Sequence, residues 1–323
     1  MRACVFSRFG PPEVVTVSEV DTPRPAASDV LVRVHATTVT TADWRIRSST
    51  FPHGFDTMAR LVFGWSKPRK QVLGSEFSGE IVEVGERVTK FKVGDAVIGF
   101  SAGLGAHAEF KVMKEDAALV LKPKRMSFEE AAALPFGGTT ALHFLTDIGQ
   151  LKAGEKVLVI GAGGAVGSAA IQLAKHFGAR VTAVCSAAKS AKVLALGAER
   201  AIDYRLEDFT KGDETYDVIL DTIGSTTFSK CRGVLSEKGR LLMIAAGLDQ
   251  LLLGAWTGIK GGKRALGGVA PERSAHILKL IEIFELGAYR PIVDRVFSMD
   301  QIVDAHRLVD SGHKFGSVVV KIL

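Results

Sequence analysis

The sequence predicts an α/β protein, with a β-rich opening part followed by a doubly wound parallel sheet. Three observations predict this. Up to about residue 120, short stretches alternate apolar and polar side chains and are separated by turn glycines. Beyond that point, buried-strand runs alternate with helical stretches, the signature of parallel βαβ units. A glycine-rich turn joins the first of those runs to the first of those helices.

Taken in order, Met1 to Phe6 is strand-like, and Val30 to His35 alternates as a half-buried strand should. Glu80 to Gly85 and Val93 to Gly99 read as short strands punctuated by glycine. Phe51 to Gln71 is an insertion rich in aromatic and basic residues. Its apolar positions Met58, Leu61, Val62 and Phe63 predict one or two helical turns, or a mobile loop, over a cleft. Lys156 to Ile160 is a buried strand. The helix after it carries Ile171, Ala174 and Phe177 on one face and stops at Gly178. A strand from Arg180 to Val184, a helix from Ala187 to Leu196, and strands at Ala201-Ile202, Val218 to Leu220 and Leu241 to Ile244 follow. Glu272 to Leu286 is helix-periodic, and Ser317 to Leu323 is a last strand expected to return to the first domain. The expected division is residues 1–124 with 266–323 in one domain, and 125–265 in the other.

Composition narrows the function. A chain of 323 residues can bury two cores. The net charge of +6 comes from scattered residues, with local clusters at Lys67 to Lys70 and Lys260 to Arg264 and no basic stripe interleaved with aromatics. Nucleic acid is therefore not the expected partner; the surplus suits an anionic cofactor. No apolar run approaches the roughly 20 residues of a membrane span, and the N-terminus lacks a signal-peptide pattern. A cytoplasmic protein without a membrane partner is expected. Cys4, Cys185 and Cys231 are far apart and form no paired motif, which argues against disulfides and a cysteine zinc site. His35, His143 and His176 belong to no His-x-x-x-His pair, so packing or surface roles are expected and no metal.

The turn Gly161-Ala-Gly-Gly-Ala-Val-Gly167 stands between a buried strand and a helix. There the backbone N–H groups and the positive helix end can receive a pyrophosphate. Gly161, Gly164, Ala165, Val166 and Gly167 are the candidate contacts. A site for NAD usually places a carboxylate about 20 residues on, bonded to the ribose 2′-hydroxyl. This chain has Cys185-Ser-Ala-Ala-Lys189 in that region, and no acidic residue from Lys156 through Ala198. Ser186 can donate a hydrogen bond to a 2′-phosphate and Lys189 can pair with its charge. NADP(H) is the expected cofactor.

Several motifs together resemble the medium-chain dehydrogenase/reductase superfamily. They are Leu73-Gly-Ser-Glu-Phe-Ser-Gly-Glu-Ile-Val-Glu-Val-Gly85, Leu134-Pro-Phe-Gly-Gly-Thr-Thr-Ala141, the glycine turn, Asp203-Tyr204, Asp217 to Asp221 with Gly224, and Ser311-Gly-His-Lys-Phe-Gly316. The resemblance implies a GroES-like barrel followed by a Rossmann domain, with substrate and nicotinamide meeting between them. It places Thr140 near the nicotinamide, Ser186, Lys189 and Tyr204 around the adenosine phosphate, and Ile244, Ala245 and Gly247 along the cofactor. Relatives are often dimers, so a homodimer is possible by analogy alone; the sequence itself does not give the oligomeric state.

Departures from the family pattern carry the finer reading. The zinc alcohol dehydrogenases of the family hold catalytic zinc with a cysteine and a histidine. Here those positions are Thr40 and Ser75, and hydroxyls are poor substitutes for thiolate and imidazole. This points to the zinc-independent quinone-reductase branch, which passes hydride to a quinone or an α,β-unsaturated carbonyl. The proton donor is unassigned; Thr40, Asp43 and Arg45 are weak candidates, with loop anchoring the favoured role for Asp43. The alternatives are a non-catalytic NADPH-binding protein on the same scaffold, or an enzyme of simple aldehydes and alcohols. A short-chain dehydrogenase is excluded, because Tyr204, Tyr216 and Tyr289 are followed four residues later by Asp208, Leu220 and Val293 rather than lysine.

Overall fold

The computed structural model describes residues 1–260 and 262–323. The chain opens with β1 (Arg2–Phe6), β2 (Val15–Glu19) and β3 (Asp29–Val39), then α1 (Thr41–Ser48) and α2 (Asp56–Phe63). Strands β4 (Glu76–Val84), β5 (Ala96–Phe100), β6 (Phe110–Lys114) and β7 (Leu119–Leu121) follow. Helices α3 (Phe128–Ala133) and α4 (Pro135–His143) lead into one π-helical turn, Phe144–Ile148. The alternating part comprises β8 (Lys156–Ile160), α5 (Ala165–His176), β9 (Arg180–Cys185), α6 (Ala187–Ala195), β10 (Arg200–Asp203), β11 (Tyr216–Asp221), α7 (Phe228–Cys231), β12 (Leu235–Met243), α8 (Leu248–Lys260) and β13 (Arg264–Gly267). The chain closes with α9 (Ser274–Glu285), β14 (Val293–Ser298), α10 (Ile302–Asp310) and β15 (Ser317–Lys321).

Two large sheets result. One runs β14-β15-β3-β4-β5-β7 with β6 also on β3. Its inward residues, among them Val30, Val32, Phe77, Ile81 and Val97, are buried in one apolar cluster. Strand β15 pairs antiparallel with β3, setting Val319 opposite Thr38, so the C-terminal segment closes onto the first sheet. The other sheet runs β10-β9-β8-β11-β12-β13 with every pairing parallel. This is the doubly wound order in which the direction of winding reverses between β8 and β11, opening a crevice at the carboxyl ends of those strands.

The two-sided burial of β8 explains its unbroken apolar run: Val157 and Val159 join the cluster under α4, α5 and α9, while Leu158 and Ile160 join the opposite one. Residues 265/266, where the sequence places a domain boundary, fall within β13. Helix α9 then buries Ile277, Leu280 and Ile283 in the cluster that holds Val157 and Val159. Its apolar stripe needs that cover, so the chain after residue 266 contributes to both cores.

The insertion at Phe51 to Gln71 contains two turns of helix, α2, and touches the alternating part. The Leu248 N–H donates to the His53 carbonyl at 2.9 Å. Helix α2 leaves Met58, Leu61 and Val62 exposed.

Candidate functional site

At the mouth of the crevice, β8 ends in Gly161, whose φ of +76° lies in the left-handed region open to glycine. A Cβ there would lie 2.4 Å from Thr222 Oγ1, so the turn also packs against the loop after β11. A Cβ at Gly167 would lie 2.3 Å from the Gly161 carbonyl oxygen, which lets helix and strand approach. Gly164 is different: an added Cβ would meet nothing nearer than 3.5 Å. It is the N-cap of α5, it supplies no side-chain cap, and no acidic residue occupies the first turn. The first-turn N–H groups at Ala165, Val166 and Gly167 therefore face open space at the positive end of a 12-residue helix. This cradle fits a pyrophosphate.

The neighbouring strand ends complete the groove. Ser186 is the N-cap of α6 at the end of β9 and makes no side-chain cap bond. Tyr204 follows β10, is 57% exposed, and carries the Arg205 guanidinium 5.7 Å from its ring centre. Ile244, Ala245 and Gly247 follow β12. The Ile244 N–H donates to the Asp221 carbonyl at 3.1 Å, and Gly224 packs against the Ala245 carbonyl. Asp221 is buried, and its two oxygens accept from the N–H groups of Ile223, Gly224 and Thr226 at 2.9–3.0 Å, fixing the loop beside the crevice. Burial pushes its carboxyl above the usual range.

Lys189 does not stand in solvent. Its Nζ donates to the Lys314 carbonyl at 2.8 Å and to Gly312 at 3.4 Å. Its stem lies over Gly163, where a Cβ would meet Lys189 Cδ at 2.5 Å. Burial holds its pKa below the usual lysine value. The lysine thus bridges α6, the glycine turn and the closing segment. The Gly316 N–H also donates to Gly163 at 2.9 Å. Lys314 is buried behind this contact, with Nζ donating to the Gly316 carbonyl at 2.6 Å, and desolvation pulls its pKa down to about 8.

The remaining candidates lie on α4 and α1. Thr140 is buried on α4. That helix approaches the glycine turn closely, since a Cβ at Gly137 would lie 2.8 Å from the Ala165 carbonyl. Thr40 and Asp43 form the capping box of α1: Thr40 Oγ1 donates to Asp43 Oδ2 at 2.6 Å and accepts from the Asp43 N–H at 3.2 Å. The Thr40 N–H donates to the same carboxylate, and the Gly74 N–H donates to its other oxygen, each at 2.8 Å. Both oxygens of Asp43 are therefore occupied in a fully buried position, which makes it a loop anchor. Arg45 on α1 is half-buried and has no carboxylate partner among the described residues. Burial lowers its pKa from the ordinary arginine value.

Three buried groups escaped sequence reasoning. Glu76 follows Ser75 in the glycine-punctuated segment; Thr38 Oγ1 donates to its Oε1, and the Phe136 N–H to its Oε2 at 2.5 Å. It caps the first turn of α4, which has no side-chain cap of its own, and so fixes the helix that carries Thr140. Desolvation raises its pKa to about 8. Arg47 is wholly buried on α1, donating to the Gly10 carbonyl at 2.6 Å and to Asp310 at 2.5 and 2.7 Å. Lys314 is the third. For Glu76 and Arg47 the partners that would signal a buried charge are distant in the chain; Lys314 bonds to Gly316 close by, and what encloses it is not written locally.

The zinc positions do not fit a metal. Thr40 Oγ1 is engaged with Asp43, and Ser75 Oγ is buried without a hydrogen-bond partner. Neither offers the thiolate or imidazole that zinc prefers.

The fold is a GroES-like sheet domain joined to a Rossmann-like parallel sheet. Residues 26–124 match the family model described as alcohol dehydrogenase GroES-like domain, and residues 196–320 match that described as zinc-binding dehydrogenase. The 2-methylene-furan-3-one reductase of Solanum lycopersicum is 32% identical over 99% of this chain and 79% of its own. An NADPH-dependent alkenal/one oxidoreductase of Arabidopsis thaliana chloroplasts is 31% identical over 99% of this chain and 79% of its own. The structure of a quinone oxidoreductase from Coxiella burnetii superposes with a TM-score of 0.87 at 30% identity, covering 100% of this chain and 99% of that one. The chain belongs to the medium-chain dehydrogenase/reductase superfamily, in its quinone-oxidoreductase-like branch, and is an oxidoreductase. No helix among the described residues is long and apolar enough to cross a membrane.

Proposed function

We propose that the protein is a zinc-independent, NADPH-dependent reductase of quinones or α,β-unsaturated carbonyl compounds. One observation carries the reading: the N-terminus of α5 has no side-chain cap, and the positions that would hold catalytic zinc carry hydroxyls, one of them committed to Asp43. The relatives named for quinone, alkenal and furanone reduction support the same class of acceptor.

The bound cofactor supplies a hydride. The uncapped N-terminus of α5 would hold its pyrophosphate, and Ser186 with Lys189 would favour the 2′-phosphate, with no carboxylate from Lys156 through Ala198 to repel it. Glu76 holds α4, and with it Thr140, against the glycine turn. Arg45, a desolvated cation without an acidic partner among the described residues, donates to the oxyanion that forms on the acceptor. A hydride delivered to the acceptor carbon would leave an oxyanion for Arg45 to hold until a side chain or water returned a proton.

The test is NADPH and NADH consumption across quinones, enones, enals and simple aldehydes, with a chelator present throughout. Chelator-resistant turnover of a conjugated acceptor, faster with NADPH, is expected. Turnover of simple aldehydes alone, abolished by the chelator, would overturn both the acceptor class and the metal independence. Tight NADPH binding without any turnover would make the protein a non-catalytic binder.

A further inference from the structure

Away from the crevice, the end of α4 and the start of α9 bring three metal-ligating side chains to one point. His143 Nδ1 lies 2.8 Å from Asp147 Oδ2, and His276 Nε2 approaches the same oxygen at 3.2 Å. All three donor atoms lie within 4.8 Å of one another. The two rings are tilted at 43° with centres 5.7 Å apart, so they converge rather than stack. Both histidine side chains are largely enclosed, at 14% and 12% exposure, while Asp147 at 39% opens to solvent.

The backbone builds this convergence. Asp147 sits in the π-helical turn, where the Gly149 N–H reaches back to the Phe144 carbonyl at 2.8 Å. Turns of this kind are rare and are frequent at functional sites. His276 arrives from a separate element whose first turn is tied down by Ser274 Oγ donating to the Ala117 carbonyl at 3.0 Å.

We propose that His143, Asp147 and His276 form a binding site for a divalent transition-metal ion of the zinc class, with a water in the open position. Two imidazoles and one carboxylate are a donor set suited to zinc and its neighbours and unsuited to magnesium or calcium. Bonds of about 2.0–2.2 Å at tetrahedral angles separate ligand atoms by roughly 3.3–3.6 Å. To admit the ion, the 2.8 Å pair opens by roughly 0.5–0.8 Å and the 3.2 Å pair by roughly 0.1–0.4 Å, while the two imidazole nitrogens, within 4.8 Å of each other, settle at the same separation. The ion takes the place of the N–H at His143 Nδ1 and at His276 Nε2, each proton moving to the other nitrogen of its own ring, and it cross-links α4 to α9. The site's ligands include neither Thr40 nor Ser75, so it is a different site from the one the zinc alcohol dehydrogenases use. Sequence spacing hid it: His143 and Asp147 form a His-x-x-x-Asp pair, but the second histidine lies on another helix.

The test is calorimetric titration of Zn²⁺ into the whole metal-stripped chain, with thermal unfolding followed alongside. Saturable binding of one ion, weakening as pH falls toward protonation of the imidazoles, is expected. His276→Ala and Asp147→Asn should each weaken binding by at least ~10-fold and abolish the metal-dependent rise in Tm. His53→Ala, at an exposed histidine elsewhere, should change neither. Absence of saturable binding to the unaltered chain overturns the proposal, as does wild-type affinity in both site variants. Should the variants fail to fold, the Co²⁺ form of the unaltered chain decides: an intense visible d–d spectrum supports a low-coordinate site, and a spectrum of hydrated cobalt refutes it. Chelator-resistant activity is a separate readout and is indifferent to either result.

Discussion

Two helices in this protein begin directly after a sheet strand and end in opposite arrangements. Helix α1, after β3, closes its own N-terminus: Thr40 and Asp43 satisfy each other, and Asp43 also receives the Gly74 N–H. Helix α5, after β8, begins at a glycine and leaves its first-turn donors open. Both starts cost the same orphan N–H groups. At α1 the chain supplies the acceptor and gains a rigid corner; at α5 it withholds one, and under the proposed function that opening takes the pyrophosphate. A helix start in this fold is therefore either a support or a ligand site, and the cap residue decides which.

The comparison breaks most sharply if α5 is given the cap that α1 has. Gly164 adopts φ −80° and ψ 175°, an extended conformation suited to an N-cap aspartate, and a Cβ there has room. Gly164→Asp should abolish dinucleotide binding, by calorimetry or cofactor fluorescence, because the carboxylate takes the N–H groups and repels the pyrophosphate. The cofactor-free protein should unfold at the same temperature or higher, gaining roughly a few tenths of a kcal/mol from the cap. Lost binding accompanied by lost stability would show that the glycine was needed for the fold and would leave the comparison without support.

The converse change removes the cap that α1 has. Asp43→Ala leaves the buried Thr40 and Gly74 N–H groups without an acceptor and should destabilise the protein by about 2–4 kcal/mol in denaturant unfolding. Dinucleotide affinity of the folded variant should be unchanged. A large loss of turnover at unaltered stability would return Asp43 to the chemistry.

How much of this was legible in the sequence follows the same division. The open helix start announces itself, because glycines spaced between a buried strand and an amphipathic helix are local and their purpose is local. The doubly wound sheet was readable for a related reason: β8 is buried on both faces and carries the unbroken Val157 to Ile160 run. The closed wall was harder. Thr40 and Asp43 were visible as polar residues, but the acceptance of the Gly74 N–H that makes Asp43 an anchor joins elements far apart in the chain. Glu76 is one residue past Ser75, yet its role depends on Phe136. Arg47 reads as a surface helix residue until Asp310 is brought beside it. The helix period of α9 was plain, whereas the core that it would join was not, because amphipathicity fixes a face and not a partner.

Lys189 tests the boundary between the two regions and should give the smallest effect. From sequence it is a partner for the 2′-phosphate; in the structure it also binds the Lys314 and Gly312 carbonyls and covers Gly163. An ammonium has three donors, so two carbonyl bonds leave one for the phosphate. Lys189→Ala therefore removes two things at once. Loss of the bridge to the closing segment loosens the groove for any dinucleotide and should weaken NADPH and NADH alike. Loss of the charge pair falls on NADPH alone and should add roughly 1–3 kcal/mol, the scale of a hydrogen bond between charged groups. The quantity to measure is the ratio of the two dissociation constants rather than either one. A falling preference for NADPH assigns Lys189 to the phosphate, whereas equal losses make it a strap across the glycine turn and leave Ser186 as the remaining candidate for selectivity.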